Sequence, residues 1–528
     1  MRTTGARHRF VPLFGDIHNH CGISYGHGTL QDAMENAALR LDFVSITGHA
    51  AWPDMDTADE RISHIVAFHE EGFARLAAGW REYCTRIAAF EAEHDLVLFP
   101  GYEIHSSEHG DYTIVGCDHD LPIITAGSPQ DLRRELSAPR RPPGTGVPDG
   151  DAGSGGADGG NPGVLIFPHH IGYRVGARGG NWDSFAEDYS PVVEILSMHG
   201  MAEEDHTDRP FLHSMGPLQH QGTLAEGLAR GFRFGVLGNT DHHSAHPGSY
   251  GHGLTGVWAT EPTREAIWEA LYARRTWANS GDSVRLWYAV DGVPMGGEIA
   301  LGGTHTHEIE VDGESAIDYV ELIDNNGRRR LWWEDHPDGE DLSEAIVTLE
   351  LGWGERGKAH AWQGSVAVLG AELREVMPRF RGQEVVSPLD ASDNHVPIQN
   401  ARWSRTENGT VRFACTSWGN MTNTTPSTHA IALRIGEPQD ASVVVSVNGL
   451  DLRVAVTDLL TGSRSANLGP IDSPAIRLSA DSRDRYYRHV TWTDEATDRE
   501  SRWYYVRVRL RNGHWAISSP VFGGARHG

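Results

Sequence analysis

Cysteine is scarce in this 528-residue sequence: Cys21, Cys84, Cys117 and Cys415 are its four, and no CxxC pair occurs. That argues against a disulfide framework and against a structural zinc knot. Long apolar runs are missing too, and no segment approaches the ~20 apolar residues of a membrane span. The opening residues, MRTTGARHRFVPLFGD, hold no apolar core of roughly 7–15 residues such as a secretory leader needs. A cytoplasmic location is the expectation. Basic residues are outnumbered, 45 Lys and Arg against 72 Asp and Glu, for a formal net charge of −27. Such a surface repels phosphate backbones and anionic lipid, so neither nucleic acid nor membrane is an expected partner. A small-molecule substrate is expected, and an anionic one is not excluded, because metal ions in a cleft can invert the local field.

Histidine is plentiful and unevenly spread. Of 30 His, 21 fall in residues 1–283 and 9 in residues 284–528. The chain is long enough for two or three domains, and this imbalance assigns the chemistry to the first half.

That half reads as alternating strand and helix. RFVPLFGDI, DFVSIT, LVLFPGYE, YTIVG, GVLIFPHH, VVEILS and FRFGVLGNTD are apolar strand candidates. TLQDAMENAALRL, with Thr29 as N-cap, the stretch from Thr57 to His94, and TREAIWEALYARR carry helical spacing. Alternation of this kind predicts a parallel sheet or a barrel, with the site at the C-terminal strand ends. His18 and His20, His49, Glu103, His169 and His170, Glu194, and Asp241 with His243 each close an apolar run. Residues 139–163, rich in Pro and Gly without apolar periodicity, are expected to be a flexible insertion.

After residue 283 the texture changes to short alternating runs such as VRLWYAV, YVELIDNNG, AIVTLELGW, VRFACTSW, SVVVSVNG and RWYYVRVRLRNG, separated by Gly, Asn and Asp turns. This all-β pattern over residues 284–528 predicts one or two sandwiches of immunoglobulin-like kind. A different class of reading makes this half the working part of a non-catalytic carbohydrate- or metal-binding protein.

DIHNH places His18 and His20 on one face of an extended chain, so both imidazoles can reach one ion. Mixed imidazole and carboxylate ligands suit Zn²⁺, Mn²⁺ or Fe²⁺. Coordination lowers the pKa of water from 15.7 to about 7, so such a set supports hydrolysis through a metal-bound hydroxide. No protein nucleophile is apparent, and Cys21 reads as a bystander.

Asp16-Ile17-His18-Asn19-His20, His27-Gly28-Thr29-Leu30, Thr47-Gly48-His49, Glu103, His169 and Asp241-His242-His243 resemble, in order and placement, the motifs of the polymerase and histidinol phosphatase (PHP) superfamily of metallohydrolases. GYE, PHH, VEILSMHG and TDHHSAHPGSYGHGLTGVWA, with the terminal aromatic strand, resemble a branch with a C-terminal β domain. That branch is related to enzymes that cleave aryl carbamates. The resemblance implies a distorted (β/α)7-type barrel in an α/β first half and two or three divalent metal ions. His18, His20, Glu103 and Asp241 would hold one metal. Glu103 would bridge to a second, bound also by His169, and His27, His49 and His243 would surround a third. Gly48 stands where the family has Asp, and the loop from His20 to His27 is longer. Asp111, His105 and His109 are candidates for a further ligand. Asp16 and Glu194 are candidates to ligate or to support ligands. His199 and His170 are candidate proton donors beside Glu103 in the catalytic set. Arg174, Arg178 and Trp182 are candidate substrate contacts, and Trp52 is a candidate pocket wall. The superfamily at large favours a phosphoester substrate; the β-domain branch leaves a carbamate, amide or ester open.

Overall fold

The computed structural model describes residues 7–137, 163–333, 341–383, 400–493 and 502–524. The insertion expected at 139–163 lies outside them, apart from Gly163. The protein is a mixed α/β structure with many strands and few helices. Among the described residues no helix is long and apolar enough to cross a membrane.

Among the described residues, ten strands and five α-helices organise the first half. In chain order they are β1 (Val11–Asp16), α1 (Leu30–Ala37), β2 (Phe43–Ala51), α2 (Ser63–Glu91), β3 (Val97–Ile104), β4 (Tyr112–Gly116), α3 (Pro129–Ser137) and β5 (Val164–Pro168), followed by β6 (Val192–Ser197), β7 (Gly200–Met201), α4 (Leu224–Ala229), β8 (Gly235–Gly238), β9 (Leu254–Ala259), α5 (Arg264–Tyr272) and β10 (Thr276–Asn279). Thr29 caps α1 as expected: its side chain accepts from the Asp32 N–H while Asp32 reaches back, a complete capping box. α2 buries Val66, His69, Leu76, Tyr83, Ile87 and Phe90, a stripe at helical spacing laid on β2 and β3.

The sheet is mixed, not parallel throughout. In the main sheet β1, β2 and β3 pair in parallel; β6 and β8 also pair in parallel, but in a separate three-stranded sheet with β7. β4 returns antiparallel to β3, and β5, β9 and β10 also pair antiparallel. The β3–β4 connection of seven residues, 105–111, explains the first reversal, since a parallel crossover needs a dozen or more. The sheet also runs on past residue 283. Strand 515–518 pairs with β10, and strand 503–510 pairs with strand 515–518.

The second half is all strand-rich, as its alternating pattern predicts. Two five-stranded antiparallel sheets, centred on strands 344–353 and 359–369, share one apolar core. Val347, Leu349 and Leu351 enter it from one sheet, and Val366, Phe413 and Val445 from the other. A different core joins the halves. Phe14, Val44, Trp258 and Trp277 pack in one cluster with Leu286, Trp287, Val506 and Val508.

Candidate metal centre

The strand ends of the two sheets converge on one site. His18 and His20 follow β1, and His49 on β2 lies opposite Glu103 on β3. Asp111 precedes β4, and because β4 is antiparallel to β3 its start lies at the same end. His169 and His170 follow β5, Glu194 is on β6, and Asp241 follows β8. Backbone hydrogen bonds lace the first and last of these segments. The Asp241 N–H donates to the His18 carbonyl at 2.8 Å, and the His20 N–H donates to the His242 carbonyl at 2.9 Å. Asp16 fixes the same junction from beneath. Its carboxylate accepts from the Thr240 hydroxyl at 2.5 Å and from the backbone N–H groups of Thr240 and Gly248 at 3.1 and 2.9 Å.

Glu103 is the hub. One carboxylate oxygen lies 3.3 Å from Nε2 of both His18 and His20 and 3.5 Å from Nε2 of His49. The other lies 2.9 Å from His105 Nδ1 and 3.1 Å from His169 Nε2. Asp241 Oδ1 is 3.0 Å from His20 Nε2 and 3.5 Å from His18 Nε2. Four overlapping groups bring their ligand atoms within 4.8 Å of one another: His18, His20 and Glu103; His20, His49 and His243; His49, Glu103 and His105; and Glu103, Asp111, His169 and His170. Supporting groups aim the rings. Glu194 sits 2.8 Å from His18 Nδ1 and accepts from Asn239 Nδ2 at 2.9 Å. Thr113 Oγ1 lies 2.9 Å from His169 Nδ1, and Ser24 Oγ lies 3.2 Å from His49 Nδ1. His243 Nδ1 donates to the Asp241 carbonyl at 2.8 Å, which leaves its Nε2 as the lone-pair nitrogen.

The electrostatics fit a cation. Burial opposes charge on Glu103, yet His169, His105 and His49 hold its carboxyl well below the ordinary range. Burial likewise opposes the Asp241 charge, and His18 and His199 outweigh it. Burial, and then the neighbouring His18, push His169 down to about 3; burial and His20 do the same to His243. These two are thereby held in the neutral form that ligates a metal, whereas burial on His18 is outweighed by Asp241 and Glu194, which hold its imidazole well above the ordinary value. His18 and His20 present their Nε2 atoms to each other at 3.3 Å and to carboxylate oxygens, all fully buried. Ionised carboxylates and imidazole lone pairs gathered in so small a volume suit a divalent ion. Among the described residues ten non-glycine residues have φ above zero, and His170, Arg178 and Asp241, at +28°, +65° and +51°, are three of them. Such strain clusters where surroundings dictate a side chain's aim.

Several expected residues stand elsewhere. His27 is buried, with its backbone N–H donating to the His243 carbonyl, but it belongs to none of the four groups. His109 Nδ1 lies 2.7 Å from Ser184 Oγ, outside the cluster. Trp182 is buried in an apolar core with Phe185, Phe232 and Phe234. Arg174 is exposed, whereas Arg178 is drawn inward as the ion-pair partner of Asp111, with its Nε 2.8 Å from the carboxylate. Its guanidinium also lies 5.0 Å from the Trp52 ring centroid. His199 Nε2 is 3.0 Å from Asp241 Oδ2, and His170 Nε2 is 3.3 Å from Asp111. His242 turns away from the cluster toward Ser244 and His252. Burial pushes the Cys21 thiol up to about 12, so it stays protonated. At Gly48 a Cβ would lie 2.6 Å from Leu76 of α2, so this position faces the helix and offers no ligand.

Tyr25 and Tyr173 were not singled out by the sequence. The Tyr25 ring stacks on His49 at 3.6 Å between centroids, and its hydroxyl lies 2.8 Å from His105 Nε2. The Tyr173 hydroxyl lies 2.7 Å from His199 Nδ1. The signal for Tyr25 was its place inside the lengthened loop between His20 and His27.

Among known proteins, a family described as "Protein of unknown function (DUF3604)" matches residues 245–294, which run from the loop after Asp241 through β9, α5 and β10. An uncharacterized protein of Chlamydia pneumoniae is 29% identical over 164 residues, covering 28% of this chain and 26% of that protein. One of Chlamydia trachomatis serovar D is 29% identical over 197 residues, covering 33% of this chain and 31% of that protein. The chain thus matches about a third or less of the length of these curated relatives. One similar solved structure is a two-domain protein from Bacteroides vulgatus, described as containing a predicted PHP-like metal-dependent phosphoesterase. It is 14% identical with a TM-score of 0.30, over 63% of this chain and 90% of that one. That score is too low to establish a shared fold.

Proposed function

We propose that this protein is a metal-dependent hydrolase with a multinuclear centre. The observation that carries the reading is Glu103, whose two carboxylate oxygens face two separate sets of imidazole nitrogens. On this reading His18, His20, Glu103 and Asp241 hold one divalent ion, and Glu103, Asp111 and His169 hold a second. With His20 given to the first ion, His49 and His243 are the donors of that group left for a third position. Bound there, such ions activate water and polarise the oxygen of the substrate's reacting centre.

The protein's own groups orient and supply protons. Glu194 and Asn239 fix the His18 ring, and Arg178 keeps Asp111 ionised. His199, touching Asp241 on one side and Tyr173 on the other, retains 10% side-chain exposure. It is the group we assign to hand a proton to the leaving group; His170 is buried against Asp111. The same reading takes the first half as a distorted barrel of the PHP kind and the two five-stranded sheets as an immunoglobulin-like sandwich. It also puts the protein in the cytoplasm, acting on a small molecule.

A phosphoester is the substrate class we put first, on the superfamily resemblance. A carbamate, amide or ester is the second reading. It is favoured by one observation: Arg178 is committed to Asp111 and covered by Trp52, which gives the centre an aromatic neighbour and not a free cation. The test is elemental analysis of the purified protein, followed by assays with Zn²⁺, Mn²⁺ and Fe²⁺ against phosphoester and carbonyl panels. Hydrolysis that a chelator abolishes is the expected result. Hydrolysis confined to the carbonyl panel selects the second reading. A protein that takes up no metal and hydrolyses neither panel, while binding glycans, is a binding module and not this enzyme.

A further inference from the structure

The loop that follows Asp241 is held from two sides. On the inner side it is laced to the ligand strands: the Ala245 N–H donates to the His20 carbonyl at 3.1 Å, and the His27 N–H donates to the His243 carbonyl at 2.8 Å. On the outer side lies a short segment of the C-terminal half, Phe380–Gln383, which follows strand 372–379. The Tyr250 N–H donates to the Phe380 carbonyl at 2.8 Å. The Gly382 N–H donates to Ser249 Oγ at 2.8 Å, and the Ser244 hydroxyl donates to the Gln383 carbonyl at 2.9 Å. The Arg381 guanidinium lies 5.2 Å from the Tyr250 ring centroid. At Gly382 the approach is so close that a Cβ would lie 2.4 Å from His242 Cε1 and 2.7 Å from His246 Cβ. Further along, Asn400 accepts from Asn36 Nδ2 at 3.1 Å, and the same Asn36 amide donates to the Ala245 carbonyl at 2.8 Å.

The loop needs such support. Asp241 and Ala245 both adopt left-handed backbone, φ +51° and +52°, which non-glycine residues hold only where the surroundings impose it. Between them sit His242, whose carbonyl takes the His20 N–H, and His243. A shift of the outer segment therefore moves the residues that aim Asp241 and His243. We propose that residues 380–383 are a positioning element of the metal centre, supplied by the C-terminal half to clamp the Asp241–Tyr250 loop. This inference rests on the metal-binding reading of Asp241 and His243.

The test uses the full chain. Gly382→Ala intrudes on His242 and His246; Ser249→Ala removes the bond from the Gly382 N–H together with the contact to His252 Nδ1, and Ser244→Ala removes the bond to the Gln383 carbonyl together with the contact to His242 Nδ1. Gly462→Ala, at a position where a Cβ meets only Arg464 at 3.8 Å, is the control. Zinc affinity is measured by competition with a chromophoric chelator, and the melting temperature of the metal-free protein is measured beside it. Displaced supporting groups weaken metal binding by about 10–100-fold. Gly382→Ala is expected to weaken zinc binding by about tenfold or more, with a lowered but still cooperative melting transition of the metal-free protein and Gly462→Ala unchanged. Wild-type affinity in a folded Gly382→Ala protein overturns the proposal. If Gly382→Ala does not fold, wild-type affinity in both serine variants overturns it, and weakened binding in either supports it. Should the wild type bind no metal, the functional reading fails. The clamp is then judged on amide exchange across residues 241–250 of the metal-free protein: faster exchange in the variants supports it, and unchanged exchange overturns it.

Discussion

Glu194 is a buried carboxylate whose work is done through another residue. Its pKa is raised by burial, with His18 pulling the other way, and its one engaged oxygen is shared between His18 Nδ1 and Asn239. Carboxylate support of this kind fixes which nitrogen of a ligating imidazole faces the ion. Glu194→Ala is therefore expected to weaken zinc binding by about 10–100-fold, read by chelator competition, while His18 stays in place. Affinity equal to wild type would leave Glu194 a packing residue. Position 48 makes the converse case. Gly48→Asp would restore the residue type that the PHP pattern carries there, yet its Cβ would lie 2.6 Å from Leu76. Overpacking costs about 1–3 kcal/mol, and a carboxylate without a partner adds to that. Lower denaturation midpoints with no gain in metal stoichiometry are the expected outcome.

At the scale of elements, the legible features were those written in local pattern. The ends of β1, β2, β3, β5 and β8 could be read because each apolar run stops at a metal-ligating residue type. Strand direction could not be read. Whether β4 runs with or against β3 depends on the 105–111 connection turning back at once, and the periodicity of YTIVG is the same either way. Arg178 could be read only as a candidate substrate contact because its partner, Asp111, is remote in sequence. Trp182 looked available because the phenylalanines that bury it, Phe232 and Phe234, belong to a later segment. The strand 429–436 carries a testable pH effect. His429 is buried between the Arg381 N–H, which it accepts through Nδ1, and the Thr416 carbonyl at Nε2, and burial pushes it down to about 4. The unfolded chain binds this proton more readily than the folded one. The stability His429 contributes is thus complete above its ordinary value of 6.5 and is lost as pH falls toward 4, by about 2 kcal/mol between pH 7 and 5. Urea midpoints of the full chain at the two pH values measure it. His429→Gln, which keeps a donor and an acceptor but cannot titrate, is expected to show that much less pH dependence.

At the scale of the whole molecule, the halves are not separable at the point where the composition changes. The change after residue 283 is real in the strand pattern, but a change in texture cannot reveal a sheet completed from far along the chain. Residues 1–283 alone would lose the partner strand of β10, the clamp at 380–383, and Leu286, Trp287, Val506 and Val508 from the core that covers Trp258 and Trp277. That fragment is expected to show no cooperative unfolding transition and little near-ultraviolet dichroism. A fragment that melts sharply would mean that the C-terminal strands are dispensable to the first half. The order of synthesis gives the same pairing a cost in time. On the ribosome, β10 is made more than two hundred residues before strand 515–518, a wait of roughly 10–50 s at ordinary elongation rates. Through that interval the nascent chain presents an open, apolar sheet edge, so a holding chaperone or a slow-forming first half is a condition of making this protein without aggregation.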